Sequence, residues 1–291
     1  MKHLPPETVI QILGHLSKPD LMSVALVASR YSTLAQPFLF QRIRLLFGAS
    51  VLPDGVRQIA KSPYHALMIK TIEIGQRWSE SFLEDVRNLV QAAVTLEELS
   101  ILAPNKTISL ELLDPAIFPN LRKLAMTGDS AYAWLAARSF PRCPKLVDLE
   151  VPQLSEQWAW NTRFTSVLEQ YAPSFMDRLH RFRGPPYFLL YMSKTGRTLQ
   201  HFSATIGLTD AWISCISKDL GFREGLLSLH VRVAAGSASS GLIWVESQCI
   251  TPNIIPSLFP NLRSVAWFRV HHLLPEQQPV SVVTLVYWPA S

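Results

Sequence analysis

A six-residue pattern, apolar-x-x-apolar-x-apolar, recurs along the chain from about residue 64 onward. Its copies begin at Ile69, Leu96, Leu121, Leu146 and Leu262, with weaker copies at Leu179, Leu199 and Leu226. The last three residues of each copy are predicted to point inward, outward and inward, as in a strand with one buried face. Helix-compatible stretches such as residues 80–90 lie between the copies. The pattern therefore predicts repeated units whose strands are parallel neighbours in one curved sheet.

The spacing of the copies supports a repeat. Successive copies start 27, 25, 25, 33, 20, 27 and 36 residues apart. Leucine-rich repeats have a period of about 20–29 residues, so most spacings fit and two require insertions. Residues 118–121 and 259–262 both read Phe-Pro-Asn-Leu, which predicts a turn before a strand. The alternative is an ordinary α/β domain whose parallel strands are preceded by turns.

Residues 4–45 predict three short helices. Proline suits a first helical turn, and the following Glu7 complements the positive end of the helix dipole. An apolar stripe over residues 9–16 forms the first helix, a second helix starts near Asp20, and a third ends near Ala35. An apolar run over residues 36–45 then leads into the next domain. Helices so few and so apolar cannot bury their own surface, so the segment either docks on a partner or caps the C-terminal domain.

Composition excludes several classes of protein. The chain has 291 residues, of which 48% are hydrophobic and 17% are charged, which is incompatible with intrinsic disorder. Its apolar runs at residues 247–262 and 280–288 are too short or too rich in proline to span a membrane. The N-terminus lacks the apolar core of a signal peptide. Three dispersed cysteines indicate a reducing compartment, so the cytoplasm or the nucleus is the expected location.

The net charge of +5 is unevenly distributed, because residues 1–62 hold seven basic and three acidic residues. These basic residues are spaced singly, whereas nucleic-acid-binding domains usually cluster them. An acidic protein partner is therefore favoured over nucleic acid.

The order and spacing of residues 4–45 resemble the F-box, in the form found in the large fungal F-box families. The matching residues are Leu4, Pro5, Glu7, Ile10, Ile12, Leu13, Leu16, Asp20, Leu21, Val24, Leu26, Val27, Arg30, Tyr31, Leu34, Ala35, Pro37, Leu39 and Phe40. Ala28 stands where the family often has cysteine or serine, and Tyr31 stands where tryptophan is common. The resemblance implies a three-helix module that docks on the acidic Skp adaptor of a Skp–cullin–F-box ubiquitin ligase. The implied adaptor-binding residues, expected to be exposed in the free chain, are Leu4, Pro5, Ile10, Leu13, Leu21, Val24 and Val27.

The body of the chain resembles the irregular leucine-rich repeats that follow F-boxes. The predicted fold class is α/β, an N-terminal three-helix F-box followed by a leucine-rich-repeat solenoid with a curved parallel sheet. The predicted divisions are 1–45 for the F-box, 46–63 for a linker or first capping segment, and 64–291 for the repeats. Residues 280–288 form an apolar strand with no polar cap after it. Because solenoids need capped ends, the chain is expected to be truncated there or to cover its last strand in another way.

The strand phase also predicts a surface for a captured protein. If Leu124 and Met126 point inward, Lys123, Ala125 and Thr127 point to the concave face. The same phase assigns to that face Asp148, Glu150, His201, Ser203, His230 and Arg232. Trp158 and Trp160 fall in the 33-residue interval, where an insertion is expected to project as a binding anchor. The alternative is that these two rings plug the convex side.

Motifs for catalysis are missing from the sequence. Phosphate-binding glycine motifs and the HExxH metal motif do not occur. Residues 236–241 lack the Gly-x-Ser-x-Gly spacing of a nucleophile elbow and are predicted to be a flexible loop. The adjacent histidines His271 and His272 are predicted to be a surface pair and not a metal site, because neighbouring residues of a strand point to opposite faces and no cluster of carboxylates or cysteines lies near them in the sequence. We therefore predict no catalytic residue, no metal and no cofactor.

These observations favour one functional hypothesis over two others. The first is a non-catalytic substrate-receptor subunit that binds the Skp adaptor, and through it cullin, and captures an unknown protein substrate, with no nucleic-acid or membrane partner. The second is an F-box scaffold that acts outside a ligase. The third is a cytosolic hydrolase with a helical cap, which the missing motifs disfavour.

Overall fold

A computed structural model describes residues 4–47, 54–76, 80–102, 118–126, 143–151, 178–184, 199–204, 220–234, 259–270 and 281–287. The helices are α1 (Pro6–Gly14), α2 (Lys18–Val27), α3 (Ser29–Phe40), α4 (Asp54–Lys61), α5 (Pro63–Ala66), α6 (Glu80–Ala92) and α7 (Leu220–Gly225). The strands are β1 (Arg42–Phe47), β2 (Thr71–Gln76), β3 (Glu98–Ile101), β4 (Lys123–Met126), β5 (Asp148–Glu150), β6 (Arg181–Gly184), β7 (His201–Ala204), β8 (Ser228–Ala234), β9 (Ser264–Val270) and β10 (Ser281–Tyr287).

The ten strands found in the described residues form one sheet in which each strand pairs with its neighbours in the sequence. Strands β1 to β9 are parallel, and β10 pairs antiparallel with β9. The sheet is open, with β1 and β10 at its edges. One strand begins within each of the eight predicted copies of the apolar pattern, and these strands are β2 to β9. The prediction of parallel strands in a single sheet is therefore confirmed.

The side chains on one face of the sheet are buried and form the apolar core. The central inward positions of β1 to β9 form a continuous row across the sheet, and every member is buried: Ile43, Ile72, Leu99, Leu124, Leu149, Phe182, Phe202, Leu229 and Val265. A second inward row contains Ile74, Ile101 and Met126, which are also buried. The predicted inward direction of Leu124 and Met126 is therefore confirmed.

A repeated backbone hydrogen bond aligns the strands. The carbonyl oxygen of Lys70 accepts from the N–H groups of both Glu97 (2.8 Å) and Glu98 (2.9 Å). Seven more carbonyls each accept from two consecutive N–H groups of the next unit: Gln41, Glu97, Arg122, Val147, His180, Gln200 and Leu227. The first residues of neighbouring strands are therefore in register across the sheet.

The Phe-Pro-Asn-Leu phrases form the predicted turns. The N–H of Leu121 donates to the carbonyl of Phe118 (3.3 Å), and Leu262 donates to Phe259 (3.2 Å). Proline and asparagine at the two central positions suit such a turn. The Asn120 side chain also donates to the Val94 carbonyl of the preceding unit, at 3.3 Å. The turn thus links neighbouring units as well as reversing the chain.

The N-terminal helices pack around a small core of Val9, Leu13, Leu21 and Ala35. Ser17 caps α2 by accepting a hydrogen bond from the Asp20 N–H, as expected for a helix that starts after a stop. The third helix ends at Phe40, five residues later than predicted, and contains Pro37. The helix continues past this proline because Phe38 and Leu39 pack against the helical core.

The sheet begins inside the segment that the sequence analysis assigns to the F-box, because β1 starts at Arg42 and pairs with β2. The predicted boundary at residue 45 therefore lies within a strand. In the segment predicted as a linker, α4 contacts α6 through an ion pair between Arg57 and Asp85 (2.7 Å). Within the described parts of the chain, no helix is long and apolar enough to cross a membrane.

Candidate functional site

The first candidate surface is a set of exposed apolar side chains on the N-terminal helices. Leu4, Ile10 and Val27 are exposed, and Pro5 is exposed beside them. The Arg30 guanidinium donates a hydrogen bond to the Leu4 carbonyl at 3.4 Å, which holds the start of the chain against α3. Apolar groups that remain in water in the free chain can be buried by a partner, and they gain free energy when this happens.

Two residues predicted for this surface lie elsewhere. Leu13 is 2% exposed and Leu21 is 4% exposed, so the expectation that they are accessible in the free chain is wrong. Both belong to the helical core with Val9 and Ala35, and Val24 is partly buried against that core. Their physical role in the free chain is to hold the three helices together.

Other exposed apolar residues were not predicted. Ile12, Met22 and Leu26 are exposed, and Leu26 is the most exposed of them at 87%. A signal for Met22 and Leu26 is present in the sequence, since residues 21–27 of α2 are apolar except for Ser23, and a helix in a small bundle buries only one side. We call Ile12, Met22 and Leu26, together with Leu4, Ile10 and Val27, the apolar patch, a set defined by the exposure of its side chains.

The second candidate surface is a depression on the solvent side of the sheet, with a volume of about 550 Å³. Side chains from β4 to β8 line it, in two adjacent rows that the strand register aligns. One row consists of Lys123, Asp148, Arg181, His201 and Ser228. The other contains Glu150, Arg183, Ser203 and His230.

The predicted substrate-binding residues largely meet in this depression. Lys123, Asp148, Glu150, His201 and His230 all line it. Arg232 lies on β8 in register with Phe268, and its side chain is not described. Trp158, Trp160 and Thr127 lie outside the described residues.

Three polar lining residues are not among the predicted ones: Arg181, Arg183 and Ser228. A signal for the arginines is present, because the weak copy that begins at Leu179 places residues 181 and 183 in the same phase as Asp148 and Glu150. The small side chain of Ala125 is predicted to face the same side, but it is buried between Ser100 and Glu150 of the neighbouring strands.

Ion pairs between β5 and β6 order the centre of the depression. Arg183 Nη1 lies 2.8 Å from Glu150 Oε1, and Arg181 Nη1 lies 3.6 Å from Asp148 Oδ2. Burial raises the pKa of the Asp148 carboxyl, although Lys123 and Arg181 oppose this effect. The Asp148 carboxylate therefore pairs with Arg181 at a cost in desolvation, which is the usual balance for a partly buried pair.

Two histidines occupy the other side of the depression. Burial lowers the pKa of His201, and the positive charge of Arg181 lowers it further. Burial also lowers the pKa of His230, with further contributions from His201 and Arg183. Both imidazoles are therefore neutral near pH 7, where a ring can donate one hydrogen bond and accept another.

Two aromatic rings support the depression from beneath. Phe182 and Phe202 stack with a centroid distance of 6.0 Å and an interplanar angle of 6°. A Cβ atom on Gly184 would lie 2.5 Å from Phe182 Cζ, so only glycine leaves room for this ring.

In the described residues, no group of three or more His, Cys, Asp or Glu side chains is placed to hold a metal ion. Cys143 is buried.

Comparison with known proteins identifies the N-terminal module. A family model described as F-box-like matches residues 1–46, which include α1, α2 and α3. No curated protein that was compared matches the chain. F-box domains typically bind the Skp adaptor, and F-box proteins are typically non-catalytic. Residues 1–46 of the chain therefore form an F-box-like domain.

Proposed function

We propose that the chain is the substrate-receptor subunit of a Skp–cullin–F-box ubiquitin ligase. The F-box-like match over residues 1–46 supports this proposal, because F-box domains typically bind the Skp adaptor and this segment exposes the apolar patch. The predicted adaptor-binding residues that are exposed are Leu4, Pro5, Ile10 and Val27. We add the exposed residues Ile12, Met22 and Leu26 to them. The basic charge of residues 1–62 suits an acidic adaptor.

We further propose that the body of the chain is an irregular leucine-rich-repeat solenoid. Three features support this: the consecutive strand order, the hydrogen bond that recurs at eight carbonyls, and the turns that link neighbouring units. An ordinary α/β domain has no need of the same bond at every strand. The repeated surface would capture a protein through the depression, in the cytoplasm or the nucleus.

Such a receptor accelerates ubiquitin transfer without contributing a catalytic group. Binding the substrate and the adaptor at once converts an encounter between molecules into a reaction within one complex, which raises the effective concentration. This mechanism requires only two binding surfaces on one chain.

The test is co-purification of the full chain with the Skp adaptor and with cullin. The wild-type chain should retain both proteins, and a Leu4→Ala/Pro5→Ala variant should retain less of each. Adaptor without cullin would favour the scaffold hypothesis. Failure of the folded wild-type chain to bind the adaptor would contradict the proposal.

A further inference from the structure

The charges on the sheet are divided between its two halves. Strands β1 to β5 contain four acidic residues, which are Glu73, Glu98, Asp148 and Glu150, together with three basic ones. Strands β6 to β9 contain no acidic residue and four arginines, which are Arg181, Arg183, Arg232 and Arg269. The depression lies across the boundary between the halves.

The two arginines at this boundary are held in place yet accessible. Each contacts a β5 carboxylate through one terminal nitrogen, Nη1. A guanidinium has five N–H donors in a rigid plane, so one such contact orients the group and does not exhaust its donors. The side chain of Arg181 is 62% exposed and that of Arg183 is 42% exposed.

Polar groups that can donate hydrogen bonds lie on the far side of the arginines. His201, Ser203, Ser228 and His230 line the depression on β7 and β8, and each can donate a hydrogen bond. The arginines lower the pKa of both imidazoles, so their positive potential reaches these strands. An anionic group bound over β6 to β8 would accept hydrogen bonds from the two guanidinium groups and from the neutral donors. The carboxylates of Asp148 and Glu150 would lie on the opposite side of the arginines.

We propose that the β6–β8 side of the depression binds an anionic side chain, a carboxylate or a phosphoester, of the captured protein. This inference rests on the proposed function, because it specifies the chemistry of the segment that a substrate receptor would capture. Charge-assisted, bidentate hydrogen bonds to arginine are the strongest contacts that such a surface offers.

The experiment uses the immobilised full chain and four pools of short random peptides. The pools differ only at a fixed central position, which is glutamate, phosphoserine, glutamine or lysine. We expect the glutamate or phosphoserine pool to bind at least about tenfold more tightly than the glutamine pool, which corresponds to about 1.4 kcal/mol. Preference for glutamate identifies a carboxylate ligand, and preference for phosphoserine alone identifies a phosphoester.

A matched pair of variants locates the site. Arg181→Gln/Arg183→Gln should abolish the preference for anionic peptides. Arg42→Gln/Arg44→Gln changes the same two register positions on β1, outside the depression, and should preserve the preference. If the first variant does not fold, Asp148→Asn and Glu150→Gln are added to it, so that no carboxylate is left without its partner.

The outcomes separate this inference from the proposed function. Equal binding of all pools, preference for lysine, or no binding of any pool would overturn the inference, as would loss of preference only in the Arg42/Arg44 variant. Adaptor co-purification is measured on the same preparations. The proposed function fails only if the folded wild-type chain does not retain the adaptor.

Discussion

Leu26 and Val27 lie at the end of α2 with 87% and 74% of their surfaces exposed. If the apolar patch docks on the adaptor, the double substitution Leu26→Ala/Val27→Ala should weaken that complex. The chain offers a matched control in Leu67→Ala/Val94→Ala, which removes the same two side-chain types at positions that are 52% and 48% exposed and lie outside the F-box-like domain.

The size of the effect follows from the exposed surface. Complete burial of a leucine or valine side chain contributes about 1.5–3 kcal/mol, and alanine retains part of this contribution. Removing both side chains should therefore cost about 2–3 kcal/mol of binding, which raises the dissociation constant roughly 30- to 150-fold. The free energy of unfolding should change by less than about 0.5 kcal/mol per residue, because both side chains are in water in the free chain.

The assay is calorimetric titration of each purified chain with the adaptor, accompanied by thermal unfolding of each chain alone. The Leu67/Val94 control should bind like the wild type. An unchanged dissociation constant for a folded Leu26/Val27 variant would refute the assignment of α2 to the interface. A large loss of stability would instead show that these side chains contribute to folding.

Three further predictions concern the sheet. Leu124→Ala should lower the free energy of unfolding by about 2–5 kcal/mol, since Leu124 is fully buried. Lys123→Ala should change it by less than about 0.5 kcal/mol. Similar losses for both variants in chemical denaturation would contradict the assignment of Leu124 to the buried face and Lys123 to the solvent face. Gly184→Ala should cost about 1–3 kcal/mol because the Phe182 ring must move, and an unchanged melting temperature would show that the ring yields freely. Asp148→Asn should stabilise the chain at neutral pH, because a raised pKa means that the folded state disfavours the ionised carboxyl. That gain should disappear as the pH falls through the raised pKa toward the ordinary value of about 3.9, and a variant less stable at neutral pH would be the contrary result.

The parallel sheet could be predicted because its signal is strong and local. Each inward position is apolar, each neighbouring outward position is mostly polar, and the period of two is specific to strands. Even the weak copies at Leu179, Leu199 and Leu226 precede strands β6, β7 and β8. In these copies the row continues through Phe182, Phe202 and Leu229, which fill the same buried position as leucine.

The last strand shows what the pattern alone does not decide. Residues 280–288 predict an apolar strand, and β10 forms there, but it pairs antiparallel with β9. Ten residues separate the two strands. A parallel partner needs a crossover of about a dozen residues or more, so a connection this short favours the antiparallel arrangement.

The sequence predicts the three helices of the N-terminal module, but it does not predict which side of each helix is buried. Resemblance to a family indicates which positions are apolar, but it does not indicate which of them face inward in the free chain. Leu13 and Leu21 are buried, while Leu26 is exposed, although all three belong to the same apolar pattern. Because α2 is apolar on every side, only packing against α1 and α3 decides which side chains remain in water.

The connection between the helices and the sheet bears on how a receptor would work. A single residue, Gln41, separates α3 from β1, and its carbonyl accepts from the N–H groups of Lys70 and Thr71, as the first member of the repeated hydrogen bond. Lys18 of α2 donates to the Arg42 carbonyl at 3.0 Å, and Phe40 contacts the His65 ring of α5 edge-on at 5.1 Å. A flexible linker would distribute a captured protein over a large volume, whereas these contacts fix the first strand relative to the apolar patch. If the chain docks on the adaptor as proposed, Gln41 sets the direction in which the sheet extends from the adaptor. Insertion of a flexible Gly-Ser segment at Gln41 should then reduce ubiquitin transfer while leaving adaptor binding intact.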